Sequence, residues 1–192
     1  VSNSEFTENK AGMELNAGGD VTIEAVQADN NKNAGASITA GGDVTVQNST
    51  FNGNSGSHYA ATGKGMEIVS QGDVSLSQVQ ANNNQLFGAN IQSAGLVEIT
   101  SSIFSGNKGY TCSYCGGKQY YGYGLQVVST DTIYLEDVTA SDNNLFGAKL
   151  TSDYDVVSSN GEFNNNGIDG KAAGFGLEID TAGYAILNEV QA

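Results

Sequence analysis

Residues 65–88 read GMEIVSQGDVSLSQVQANNNQLFG, and the reading of this stretch decides the fold. Residues 66–68 and 74–77 alternate apolar with polar side chains, the period-two signature of strands with one face in a core and one in water. Gly72-Asp73 between them is turn chemistry. A third short run, VQA at 79–81, leads into Asn82, Asn83 and Asn84, and Gly88 then starts the pattern again. No helical period interrupts it.

The same unit recurs along the whole chain. Repeat glycines stand at Gly12, Gly35, Gly65, Gly88, Gly124, Gly147 and Gly176, with spacings of 23, 30, 23, 36, 23 and 29. Three residues after each comes Leu15, Ile38, Ile68, Ile91, Val127, Leu150 or Ile179. Five residues after each comes a small residue: Ala17, Ala40, Ser70, Ser93, Ser129, Ser152 or Thr181. Nineteen residues after each, in every complete repeat, comes an Asn: Asn31, Asn54, Asn84, Asn107, Asn143, Asn166. Asn9 holds the same place in an incomplete opening repeat. A unit of about 23 residues, built only of strands and turns and repeated in register, describes a parallel β-helix. The expectation is one all-β domain, residues 1–192, of about seven coils with three short strands per coil. At ~4.8 Å per coil the rod is roughly 34 Å long.

A finer order runs through the predicted core. The residue after each glycine alternates in size: Met13, Ala36, Met66, Ala89, Leu125, Ala148, Leu177. The third run alternates as well, from Val26/Ala28 to Ser49/Phe51, Val79/Ala81, Ser102/Phe104, Val138/Ala140 and Gly161/Phe163. Neighbouring layers thus compensate volume, as packing at protein density requires. The true unit is a pair of coils, and the long loops follow only the Phe-bearing ones.

Composition narrows the function. The chain of 192 residues carries 7 Lys, no Arg and 21 acidic residues, a formal net charge of −14. Nucleic acid and anionic membranes both demand a basic footprint, so neither is an expected partner. No apolar run reaches the ~18 residues of a membrane span. The first residue is Val1, so a processed product or an excised segment is expected. High Asn, Ser, Thr and Gly with strong acidity suits an extracellular or cell-surface protein.

Four features could carry chemistry. The Asn ladder has a structural reading, since stacked amides satisfy one another and the backbone at a buried turn. Phe87, Tyr123, Phe146 and Phe175, each just before a repeat glycine, predict an aromatic stack. Asp20, Asp43 and Asp73 follow turn glycines on successive coils. They read either as caps of their turns or as a calcium site of stacked carboxylates; no other cofactor is implied. The insertion KGYTCSYCGGKQYYGY (108–123) holds Tyr110, Tyr114, Tyr120 and Tyr121, and with Tyr59 of the preceding long loop these either offer a partner- or sugar-stacking surface or simply fold over the rod's edge. Cys112 and Cys115 form a CxxC without a second pair or a ligating His, so a local disulfide pinning the loop is expected.

The outward position of the second strand forms one more patch. It runs Thr22, Thr45, Ser75 and Glu98, then Tyr134, Val157 and Ile186, with Tyr154 and Tyr184 at the adjoining turn. A contiguous exposed apolar surface marks an interface, here a lateral contact with another rod or domain.

The alternating strands, Asn ladder and G-x-x-[ILV] coils resemble the right-handed parallel β-helix repeats of the pectin-lyase-like superfamily. The resemblance covers essentially the whole chain and implies the right-handed sense of the solenoid. The stretch AGGDVTI at 17–23 is similar to repeats of filamentous haemagglutinin-type secreted adhesins. Pectate-lyase-type members use an Arg base with acidic calcium ligands, and this chain has no Arg. Polygalacturonase-type members use grouped Asp with His-Gly and Arg-x-Lys motifs; the one His, His58, is followed by Tyr59. The resemblance therefore implies architecture rather than an enzyme. The expectation is a structural or adhesive β-solenoid of a bacterial or archaeal surface, self-associating end to end or laterally. The alternative is a carbohydrate-binding module on the Tyr-rich edge, meeting glycans or a neighbouring cell surface.

Overall fold

The computed structural model describes residues 1–56, 62–109, 111–112, 119–120, 122–167 and 174–192. Strand formation follows the period-two runs. The elements are β1 (Ser2–Glu5), β2 (Met13–Ala17), β3 (Val21–Gln27), β4 (Ala34–Ala40), β5 (Val44–Gln47) and β6 (Lys64–Ser70). They continue with β7 (Val74–Ser77), β8 (Ala89–Ser93), β9 (Val97–Thr100), β10 (Thr111–Cys112), β11 (Gln119–Tyr120) and β12 (Leu125–Ser129). The last are β13 (Ile133–Glu136), β14 (Ala148–Ser152), β15 (Val156–Ser159), β16 (Leu177–Thr181) and β17 (Ala185–Asn188).

Two parallel sheets wind along the rod. One has seven strands in the order β2-β4-β6-β8-β12-β14-β16, the other eight in the order β1-β3-β5-β7-β9-β13-β15-β17. The chain alternates between them, so each strand pairs with the equivalent strand one coil away. β10 and β11 form a separate antiparallel pair inside the longest insertion. In the first coils the third run belongs to β1 and β3, where Ser4 and Glu5 pair with Val26 and Gln27. Beyond them it is shorter than a strand and carries one bridged residue per coil, in the file Gln27, Thr50, Gln80, Ile103, Thr139, Glu162, Gln191.

Left-handed corners explain that brevity. Positive φ recurs at Asn3, Ala25, Asn48, Gln78, Ser101, Asp137, Asn160 and Glu189, just before the third run. It recurs after that run at Glu8, Asn30, Gly53, Asn83, Gly106, Asp142 and Asn165. Two such corners per coil bend the chain sharply and leave only four residues between them. Asn and Gly dominate the second column because they enter this region at the least steric cost.

The core is layered as the size alternation predicts. Register aligns Met13, Ala36, Met66, Ala89, Leu125, Ala148 and Leu177 in one column. Phe51, Phe104 and Phe163, at most 1% exposed, occupy the coils whose column residue is Ala. Each coil therefore holds either a long aliphatic chain opposite Ala or an Ala opposite Phe. Full burial of one such Phe contributes roughly 1.5–3 kcal/mol. At Gly35 a Cβ would lie 2.6 Å from the Gly65 carbonyl oxygen and 2.9 Å from Asn54 Nδ2. Glycine at the repeat position is thus what lets the ladder amide and the neighbouring coil close in.

Candidate functional site

The Asn ladder sits at the turn that closes each coil, where backbone groups would otherwise be buried unpaired. Asn31, Asn54, Asn84, Asn107 and Asn143 are buried, while Asn166 is half-buried and Asn9 exposed. The backbone N of Asn9, Asn31, Asn54, Asn84, Asn107 and Asn143 donates to the Oδ1 of the ladder Asn in the next coil, at 2.9–3.0 Å. In the middle of the rod the side-chain Nδ2 of Asn54, Asn84 and Asn107 shares that acceptor. Nδ2 of Asn31 and Asn166 donates instead to backbone carbonyls, and Asn143 Nδ2 is buried without a partner.

The carboxylates at the opposite turn do similar work. Asp20 Oδ1 accepts from Asp43 N, Asp43 Oδ1 from Asp73 N, and Asp73 Oδ1 from Leu96 N, each at 2.9 Å. Asp155 Oδ1 accepts from Tyr184 N at 2.8 Å. Of the two sequence readings of Asp20, Asp43 and Asp73, the geometry favours a capping file, with the cap reaching across to the next coil. Among the described residues no three His, Cys, Asp or Glu side chains gather closely enough to hold a metal ion.

Two further files were not read from the sequence. Ser70, Ser93, Ser129 and Ser152 each donate an Oγ–H to a turn carbonyl one coil back, at 2.7 Å. The same oxygens accept the N–H two residues ahead. The outer side of the Asn corner carries a second polar file. Asp29 accepts from Asn52 N, Asn52 from Asn82 N, and Asn82 from Ser105 N, at 2.6–2.7 Å.

Tyr123, Phe146 and Phe175 stack in the expected column. Tyr123 and Phe146 lie 5.3 Å apart and 7° from parallel, Phe146 and Phe175 5.7 Å apart and 24° from parallel. Phe87 is buried, whereas Phe175 is 51% exposed. Lys149 Nζ lies 5.5 Å from the Phe146 centroid and pairs with Glu178 Oε1 at 2.6 Å. That hydrogen bond raises the Lys149 pKa above its ordinary value, and burial opposes the rise.

Tyr59, Tyr110, Tyr114, Tyr121 and Cys115 lie outside the described residues, and Tyr120 and Cys112 are described as backbone of β11 and β10. The sugar-stacking and disulfide expectations fall on those positions. At the edge of the first coils a groove of about 660 Å³ runs beside the ladder, with Lys10, Lys32, Asn33 and Ser55 in its lining.

The lateral set is brought together. Register places Tyr134 beside Val157 and Val157 beside Ile186. Tyr154 and Tyr184 stand at the turn before them, on adjacent coils joined by the Val156 N to Tyr184 O hydrogen bond of 2.8 Å. Only Val157 is half-buried; the other four are exposed.

The family model of the right-handed β-helix region matches residues 1–121. That of the haemagglutinin repeat matches residues 77–183. The chain belongs to the right-handed β-helix family and carries haemagglutinin repeats.

Among solved structures, this right-handed β-helix is similar to the crystal structure of pectate lyase Pel9A, with a TM-score of 0.54 and 20% identity. The match covers 94% of this chain and 50% of that one, so the chain spans about half the length of that structure. At this identity the likeness concerns the fold. No curated protein sequence matches the chain.

Proposed function

We propose that the chain is a structural or adhesive β-solenoid module of a secreted or surface protein. The observation that carries this reading is where its polar side chains go. The Asn ladder, the Asp20–Asp43–Asp73 file and the Ser file are all engaged in hydrogen bonds between coils. Asp43 and Asp73 each accept a backbone N–H from the next coil. The haemagglutinin repeats support the adhesive side of the reading.

Assembly is part of the proposal. The parallel register that joins each coil to the next is also a means of joining coils of separate copies. In this reading the contact does not close on itself and grows into a filament. Negative-stain electron microscopy over a concentration series tests this. Rods that lengthen with concentration are expected, and discrete short rods at every concentration overturn the assembly. Release of unsaturated oligouronides from polygalacturonate would replace the structural reading with an enzymatic one.

A further inference from the structure

The eight-stranded sheet changes its outer surface along the rod. Its first inward column runs Val21, Val44, Val74, Val97, Ile133, Val156 and Ala185, small or β-branched throughout. Its outward column changes from Thr22, Thr45, Ser75 and Glu98 to Tyr134, Val157 and Ile186. Packing of the rod places no demand on that change, because these side chains point away from the core. Tyr134 is 42% exposed, Tyr154 61%, Tyr184 75% and Ile186 51%. Tyr184 stands two residues before Ile186, which puts both on the same side of the sheet. The five residues form an apolar and aromatic patch, a kind of surface that on monomers is commonly functional.

The charge around this patch selects its occupant. Asp131, Glu136, Asp137, Asp153 and Glu189 are exposed beside it. No Lys lies in any strand of this sheet, and the chain has no Arg. A second copy docking here would press carboxylates against carboxylates. A cationic partner removes that conflict. Ammonium or guanidinium groups sit favourably over Tyr rings and form charge-assisted pairs with the carboxylates. Apolar side chains of the same partner cover Val157 and Ile186.

We propose that the Tyr134–Tyr154–Val157–Tyr184–Ile186 flank binds a basic polypeptide segment in which Lys or Arg is interleaved with apolar residues. The acidic rim steers the segment to the surface, and the aromatic column holds it. This binding does not depend on end-to-end assembly.

The test uses the full chain and synthetic peptides in a calorimetric titration. The probe alternates Lys with Leu, and the controls alternate Lys with Ser and Glu with Leu. The Lys–Leu peptide is expected to bind, with the Lys–Ser peptide at least tenfold weaker and the Glu–Leu peptide silent. A Tyr154→Ser/Tyr184→Ser/Ile186→Ser variant, its fold checked by circular dichroism, is expected to bind the probe at least tenfold more weakly. Glu24→Gln, at the polar end of the same sheet, is expected to bind as the parent does. Absence of probe binding overturns the proposal, as does equal binding by the triple variant, which would mean general attraction to an acidic rod. Sedimentation showing a dimer that the triple substitution dissolves and the probe does not disturb would assign the flank to self-association instead.

Discussion

Asn84 donates two hydrogen bonds to a single oxygen, the Oδ1 of Asn107 one coil further on, from its backbone N at 3.0 Å and its Nδ2 at 3.2 Å. Both residues are fully buried. Asn107→Ala therefore strands two buried donors, each costing about 1–3 kcal/mol when unpaired. A loss of roughly 2–5 kcal/mol in urea unfolding is expected. A change below about 0.5 kcal/mol would show that water replaces the amide and that the ladder is not what secures this turn.

The corner residues give a prediction of opposite sign. Ala25 holds φ at 52° in a column where Asn48 and Asn160 do the same. A side chain in this region costs about 1–2 kcal/mol, and Asn tolerates it better than Ala. Ala25→Asn is expected to raise Tm. Gly53, at φ 63°, has Asn30 Oδ1 only 2.6 Å from where a Cβ would stand, so Gly53→Ala is expected to lower Tm.

Ser158 is a buried hydroxyl without a hydrogen-bond partner, in a coil where Gly161 replaces the Ser of the equivalent position. A Cβ at Gly161 would fall 2.6 Å from the Phe163 ring, so the two small residues make room for that side chain. Ser158→Ala removes an unsatisfied group and is expected to be neutral or stabilising. Ser102→Ala is expected to cost about 1 kcal/mol, because Val79 N loses its buried acceptor, now at 3.1 Å. Thermal melts of both variants provide the comparison.

The Lys149–Glu178 pair predicts an alkaline effect. Because the folded pKa of Lys149 is raised, its contribution is fully present below the ordinary lysine value of 10.5 and fades as pH climbs through the raised value. Each side chain is about one-third exposed, so the contribution is small. Glu178→Gln is expected to melt slightly below the parent at pH 8, with the two curves converging as pH climbs through the raised lysine value.

Much of this architecture is legible in the sequence because one residue decides each layer. The alternation of Met13, Ala36, Met66 and Ala89 predicts a compensated core, and the burial of that column agrees. The third strand is less legible. Its composition is strand-like, but flanking left-handed residues such as Asn48 and Gly53 cut it to a single bridge, and Gln78, in the same column as Asn48, carries no mark of that conformation. Asp43 remained open between cap and metal ligand because its hydrogen-bond donor, Asp73 N, lies 30 residues away. The Ser file was hidden for a different reason. Ala17 and Ala40 hold its first places, so the position reads as merely small.

The pairing of Phe-bearing with Phe-less coils constrains how such a protein changes over generations. Excising residues 35–64 would set Met13 against Met66 and Ala28 against Ala81, one layer overfilled and one hollow. Excising residues 12–64 joins like to like and leaves the layering intact. Duplications and deletions that survive are therefore expected in even numbers of coils, so that the rod's length is inherited in discrete double steps while its loops vary freely in between.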